Sequence, residues 1–269
     1  APPPGSSSMP EAVRRGPERL RLPGGKPEFF SYIRDVQPVW DRHCVRCHDF
    51  GTEAGAVLNL AGDRTLTFNV SYNELWRKRY IRCIGAGPAP IQPARSWGSS
   101  ASRVVEVLRE GHEGVALTPD EWRRVVTWID LNGPYYPVYD SAYPTHLAGR
   151  CPLSPAELGR LSHLTGVALN ALARQSHNRG PQVSFSRPEE SPCLAGLSGR
   201  TYREALALIA GGAARLNERP RADMAWFRGS ERDRERQLRY RVRAGAEQRS
   251  RRALRAKEHV YDREPPDDS

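Results

Sequence analysis

The stretch Cys44-Val45-Arg46-Cys47-His48 decides how the rest of the chain is interpreted. Two cysteines separated by two residues and followed at once by a histidine form the attachment pattern of a c-type haem. The thiols can add across the haem vinyl groups, and the next imidazole becomes the proximal iron ligand. A chance match and half of a zinc site are the alternatives, but the next cysteine, Cys83, stands alone. The stretch therefore predicts one covalent haem c, held by Cys44 and Cys47 and ligated by His48.

The segments on either side of this motif have helical patterns. Apolar residues recur at helical spacing from Phe29 to Trp40, and Pro38 is expected to bend or restart that helix. Residues 49–64 are expected to form a Gly-rich loop. Thr118-Pro119-Asp120-Glu121 is a capping box, which predicts a helix that ends before Asn132-Gly133-Pro134. In c-type cytochromes such a leading and closing helix cross, so we predict a class I cytochrome c-like haem domain over residues 28–137.

A second ligand to the haem iron would come from a methionine or a histidine. Met9 and Met224 are the only methionines and both lie outside the predicted haem domain. His112 lies in a Gly-flanked loop before the closing helix, where glycines allow the backbone to approach the ring, and is our candidate distal iron ligand. His146 and an open distal site remain as alternatives. Trp97, in an irregular stretch, is assigned to the haem pocket.

The remaining chain is predicted to consist of three parts. Residues 1–27 are rich in Pro, Gly, Ser and Arg and are interpreted as a disordered lead or linker. Residues 138–227, the extension, are expected to be loop-rich and helical and to pack on the haem domain, with helices at Ser154 and at 167–173. Residues 228–269, the tail, are expected to form a charged helix. The fold class is thus mainly α, with an irregular and helical C-terminal extension.

Composition limits the compartment and the partners. The net charge is +10, but the basic residues of the tail are interleaved with acids, which fits a solvated helix better than a nucleic-acid interface. No apolar run is long enough to span a membrane, although contact with a membrane surface remains open. No secretory leader is recognisable at Ala1, so we expect the export signal to lie upstream. Pairing among Cys83, Cys151 and Cys193 cannot be deduced from the sequence.

Most of the chain resembles the C-terminal haem domain of hydrazine synthase alpha-subunit-like proteins, a group common in planctomycetes. The matching pieces are residues 35–48, 58–63 and 126–136, with further likeness at 180–185 and 191–194. The resemblance implies haem attachment at Cys44 and Cys47 and proximal ligation by His48. Related domains carry Met-Pro-Pro where this chain has His112, which implies that His112 replaces the methionine. The catalytic haem, zinc site and propeller of that family have no counterpart here, so its catalysis is not implied.

These features predict an exported, periplasmic or otherwise extracytoplasmic, monohaem c-type cytochrome. It would transfer single electrons through a bis-His haem to redox partner proteins or within a larger multi-subunit complex. An electron carrier is favoured over an enzyme. One alternative is a haem enzyme of peroxidase type, with an open distal side and His112 as its acid-base group. The other is a haem-bearing scaffold subunit of a redox complex, whose basic tail binds a partner.

Overall fold

The computed structural model describes residues 29–84, 91, 93–170 and 180–256. Over these residues the chain is mainly helical and contains no β-strand, which confirms the predicted mainly α class. The predicted lead, residues 1–27, lies outside the described residues. The eight α-helices of the described part are α1 (Gln37–His43), α2 (Glu53–Val57), α3 (Val70–Arg77), α4 (Arg103–Glu110), α5 (Pro119–Asp130), α6 (Pro155–Thr165), α7 (Gly199–Glu218) and α8 (Glu231–Arg255).

The chain enters α1 through a π-helical turn, Tyr32–Val36. Pro38 lies in the first turn of α1, where its missing N–H is not needed, so the helix restarts there as predicted. The side chains of Tyr32 and Trp40 are buried, and the Trp40 indole N–H donates to the Tyr32 hydroxyl over 2.9 Å. This pair anchors the segment that leads into the two-cysteine motif.

Helix α5 begins at the predicted capping box. The Thr118 hydroxyl accepts from the Glu121 N–H over 3.3 Å, and the Glu121 carboxylate accepts from the Thr118 N–H over 2.9 Å. The apolar face of α5 is fully buried at Trp128 and Ile129. The ring centre of Trp128 lies 4.8 Å from that of Tyr32, so the leading and closing helical segments meet.

Two hydrophobic clusters form the interior of the described chain. The first core draws its residues from between positions 30 and 136, and the second from between 142 and 227 together with Leu66. Arg221 joins them: its fully buried guanidinium donates to the Thr65 carbonyl over 2.8 Å and pairs with Asp223. Asp223 in turn accepts from the Tyr135 hydroxyl over 2.8 Å. The buried charge is thus satisfied by groups from both cores.

Two local expectations differ from what the described residues show. The predicted loop at 49–64 contains α2, which is capped because the Thr52 hydroxyl accepts from the Gly55 N–H over 2.9 Å. The expected helix at 167–173 is not seen over its described residues, 167–170. Helix α6 ends at Gly166, whose φ of 67° is left-handed. After it, the Leu169 N–H donates to the Ser162 hydroxyl over 3.0 Å, so the chain turns back on α6 and does not start a new helix at 167. Residues 171–179 lie outside the described chain.

Candidate functional site

The two cysteines of the motif lie on one helical turn at the end of α1. The Cys44 N–H donates to the Trp40 carbonyl over 2.8 Å, and the N–H groups of Cys47 and His48 donate to the Cys44 carbonyl over 3.0 and 2.9 Å. Cys44 is half-buried against the first core, and burial raises the pKa of its thiol to about 11. Cys47 is exposed. The turn therefore brings two thiols and one imidazole to the same end of α1.

The His48 ring is oriented by the backbone of residue 58. Its Nδ1 lies 2.8 Å from the Leu58 carbonyl oxygen, and because a carbonyl only accepts, Nδ1 must carry the proton. The Leu60 N–H donates to the His48 carbonyl over 2.9 Å, which fixes the backbone of the same residue. Nε2 is the nitrogen left for a metal, as in most metal-ligating histidines.

The structure brings His112 next to His48. Their ring centres lie 5.9 Å apart. Two imidazoles that share one iron, each with its nitrogen about 2 Å from the metal, have ring centres roughly 6 Å apart. The His112 side chain is exposed, and within the described residues its ring has no hydrogen-bond partner. The spacing and the free ring fit a pair of axial ligands.

The loop that carries His112 depends on left-handed backbone conformations. Gly111, Glu113 and Gly114 have φ values of 89°, 48° and 71°, a region that glycine adopts without strain. The Val115 N–H donates to the His112 carbonyl over 2.8 Å and closes a tight turn. The loop then enters α5 at Thr118. The glycines on both sides of His112 are therefore explained by the turn itself.

Glu121 joins the two sides of this site. One carboxylate oxygen accepts from Thr118, and the other lies 3.1 Å from His43 Nε2 and forms an ion pair with Arg42. Its side chain is 7% exposed. Burial opposes ionisation of this carboxyl, but the hydrogen bonds from Thr118 and His43 outweigh burial and lower its pKa to about 2. Glu121 is thus an ionised, buried link between α1 and α5.

The extension reaches the residue that follows His48. Arg187 donates to the Asp49 carboxylate over 2.8 Å and to the Asp63 carboxylate over 2.8 Å, and its guanidinium lies over the Phe50 ring at 5.1 Å. The hydrogen bond from Arg187 lowers the pKa of Asp49. Residues 49–63, which contain Leu58, are therefore held from both ends.

Neither of the other two candidate residues has a ring contact with His48 or His112 within the described chain. Trp97 is 41% exposed, and its neighbour Gly98 donates to the Arg82 carbonyl over 2.7 Å; its assignment to a haem pocket stays a prediction. The alternative distal ligand His146 stacks on Tyr143 with ring centres 5.5 Å apart. Its Nδ1 lies 3.0 Å from the Cys151 carbonyl oxygen, so its place is beside the second core.

Sequence reasoning missed Leu58, Arg187 and the second role of Glu121. Leu58 acts through its backbone carbonyl, which any residue type supplies, so no sequence signal identifies it. Arg187 is one of many arginines, and its partners are more than a hundred positions away. The sequence identified Glu121 only as the acidic residue of a capping box. Its contact with His43 depends on how α1 and α5 pack.

The donor set fits a metal that is already held in a macrocycle. Among the described residues, no group of three or more His, Cys, Asp or Glu side chains could hold a bare metal ion. A haem iron needs only axial ligands from the protein, and the two thiols of the motif are the usual covalent anchors of its vinyl groups. Two imidazoles and two thiols meet that requirement.

None of the helices in the described ranges is both long and apolar enough to cross a membrane.

Comparison with models of protein families, with curated proteins and with solved structures gave no match, so the family relationship suggested by the sequence stays a prediction.

Proposed function

We propose that this chain is an exported monohaem c-type cytochrome that transfers single electrons through a bis-His haem. The observation that carries the proposal is the pair of His48 and His112 imidazoles, whose centres lie 5.9 Å apart beside two thiols of one turn. We further propose, on the strength of the sequence resemblance, that the domain belongs with the haem domains of hydrazine synthase alpha-subunit-like proteins.

Each residue of the site has a distinct role in this proposal. Cys44 and Cys47 would hold the haem covalently, and His48 and His112 would ligate its iron. When bound, the haem supplies reversible one-electron chemistry at its iron. The Leu58 carbonyl keeps Nδ1 of His48 protonated and makes the ring a stronger donor, which favours the oxidised state. With both imidazoles bound to the iron, no position would be left for a substrate, so electron transfer is favoured over catalysis.

The redox compartment and the partners belong to the same proposal. Haem is attached to this motif outside the cytoplasm, so we propose a periplasmic or other extracytoplasmic location. Redox proteins, or further subunits of a redox complex, are the proposed partners. The exposed helix α8 contains ten arginines and four acidic residues, and its arginines could pair with carboxylates of such a partner. This feature also supports the alternative of a haem-bearing scaffold subunit.

A peroxidase-type enzyme is the second candidate. It is favoured by the exposed ring of His112 on a Gly-flanked loop, because such a loop could open and leave the imidazole as an acid-base group. The two functions predict different coordination of the iron. A carrier should be low-spin and six-coordinate, whereas the enzyme should have an open distal position.

The test is a spectrum of protein matured in an exporting host. Intact-mass analysis should find one added porphyrin, and the ferric protein should be low-spin and insensitive to cyanide and peroxide. His112→Ala should become high-spin and retain its haem, whereas His146→Ala, the matched control, should stay low-spin. A high-spin wild-type spectrum that shifts with cyanide would support the enzyme. A His112→Ala protein that stays low-spin would reject His112 as ligand.

A further inference from the structure

We propose that Glu121 is a positioning residue that holds the His112 loop against the two-cysteine turn and so sets how readily the distal ligand leaves the iron. The inference rests on the proposed function, because it assumes that His112 ligates a haem. The Glu121 carboxylate would then do more than cap α5, because it also contacts His43 and Arg42.

The division of the Glu121 carboxylate between two segments is the first observation. Oε2 accepts from the Thr118 N–H and from the Thr118 hydroxyl, each over 2.9 Å. Oε1 faces His43 at 3.1 Å and pairs with Arg42. Residue 43 directly precedes Cys44, and Thr118 ends the loop that begins at Gly111. One carboxylate thus joins the segments on which the two proposed ligands are carried.

The burial of this link is the second observation. The Glu121 side chain is 7% exposed and that of His43 is 19% exposed. Water competes weakly for a hydrogen bond in such a place, so the bond holds its partners more firmly than a surface ion pair does. The exposed His112 loop has left-handed backbone at three positions, and within the described chain the only ring that the His112 imidazole contacts is that of His48. Its attachment at Thr118, together with the packing of Leu117 against the first core, therefore sets its orientation.

A loop held in its bound geometry presents its ligand at a smaller entropic cost. Without the link, residues 111–118 gain freedom and the His112 imidazole should dissociate more often. A small external ligand such as carbon monoxide can bind the ferrous iron only when His112 has left. The rate of carbon monoxide binding therefore reports the opening of the distal bond.

The chain contains a matched control in the second core. Glu157 completes the capping box of α6: Oε2 accepts from the Ser154 N–H and hydroxyl, and Oε1 accepts from Arg215 over 2.8 Å. Glu121 and Glu157 thus divide their carboxylates in the same way. A glutamine has one acceptor oxygen instead of two and carries no charge, so either substitution removes the ionic partner of the arginine and weakens the bonds on that side of the carboxylate. Only the Glu121 link lies beside the proposed haem ligands.

The experiment compares carbon monoxide binding to ferrous wild type, Glu121→Gln and Glu157→Gln. Losing one hydrogen bond to a charged group changes an equilibrium roughly tenfold, so we expect Glu121→Gln to bind carbon monoxide roughly ten times faster. Ferric Glu121→Gln should also show a larger high-spin fraction. Glu157→Gln should match the wild type in both measurements, although its stability falls as well.

A second pair of variants approaches the link from its other side. His43→Leu removes the donor and leaves the capping box intact, so it should behave as Glu121→Gln does. His43→Gln keeps a side-chain donor and should restore slow binding. This pair decides the question if Glu121→Gln fails to fold or to retain haem.

The outcomes distinguish a failure of bis-His ligation from a failure of the positioning role of Glu121. A wild-type protein without porphyrin, or with a high-spin spectrum, rejects bis-His ligation and the inference together. A low-spin wild type with unchanged binding rates in Glu121→Gln and His43→Leu rejects the role of Glu121 alone. Equal acceleration in Glu121→Gln and Glu157→Gln also overturns it, because the effect would then follow from lost stability.

Discussion

At the level of single residues, the Leu58 carbonyl determines which nitrogen of His48 can face a metal. A protonated Nδ1 that donates over 2.8 Å leaves Nε2 as the ligand and increases its basicity. The bond is made by main chain, so it cannot be removed by a side-chain substitution at position 58. Arg187 offers an indirect control of this segment, because it holds Asp49 and Asp63, which lie on either side of Leu58 in the chain.

The five cysteines should differ sharply in reactivity. Cys83, Cys151 and Cys193 are free thiols, and burial raises their pKa values to about 11, 11 and 12. A thiolate is the reacting species, so these three should react slowly in the folded protein. With haem on Cys44 and Cys47, a thiol reagent should find no fast-reacting group, and three thiols after unfolding.

Haem-free protein from a host without attachment machinery is the control for this titration. Its exposed Cys47 should react at once. Fewer than three thiols in the unfolded haem protein, without reductant, would show that two of the buried cysteines are paired.

Glu121 should make stability depend on acid pH. Its pKa in the folded protein is about 2, below the ordinary value of 4.5. The folded state therefore binds the proton less tightly than the unfolded state, and the stabilisation is complete above pH 4.5 and lost as the pH falls towards 2. The free energy of unfolding of wild type minus that of Glu121→Gln should shrink across this range. A difference that stays constant from pH 6 to pH 2.5 would contradict the assignment.

At the level of elements, α5 contributes fully buried side chains to the first core. Trp128 is fully buried, and its indole N–H donates to the Pro134 carbonyl over 3.0 Å. Trp128→Ala should therefore lower the free energy of unfolding by about 3–5 kcal/mol in denaturant titrations. Trp97→Ala, at a side chain that is 41% exposed, should cost less than about 1 kcal/mol. Equal losses would contradict this picture of the core.

Elements with local signals were predicted well from the sequence. Thr118 with Glu121, and Ser154 with Glu157, each form a capping box from residues three positions apart, so their geometry follows from the local chain. Helix α2 was missed because its residues, Glu53–Val57, have no apolar period and include a glycine. The contact of Glu121 with His43, 78 positions away, depends on packing that local patterns do not encode.

At the level of the whole molecule, the extension is an integral part of the fold. Arg221 satisfies carbonyls of residues 65 and 68 from its buried position, and Arg187 holds the loop after His48. The candidate site residues were all chosen from the sequence, namely Cys44, Cys47, His48 and His112. Sequence patterns could not show that the surroundings of these residues depend on residues 180–223. The groups that Arg187 and Arg221 bind there are main-chain carbonyls and acidic side chains that form no sequence pattern.

Helix α8 should be dispensable for folding. It is capped by Ser230 and largely exposed, and its Arg236 pairs with Asp140 at 3.1 Å. Deleting residues 231–269 removes this partner of the buried Asp140 carboxylate but takes no residue from either core, so the unfolding midpoint should fall only slightly and the haem spectrum should stay unchanged. A spectral change on deletion would show that α8 supports the haem site. Loss of partner binding alone would support its role as a docking element.

The position of Arg221 also sets an order of events during synthesis. A ribosome makes residues 44–48 long before residue 221, and until then the carbonyls of Thr65 and Phe68 lack the guanidinium that they accept from in the finished protein. A chain that ends before residue 221 should therefore stay incompletely packed in its N-terminal half, with the thiols of Cys44 and Cys47 more accessible. Full packing around the two-cysteine turn should wait for the final quarter of the chain.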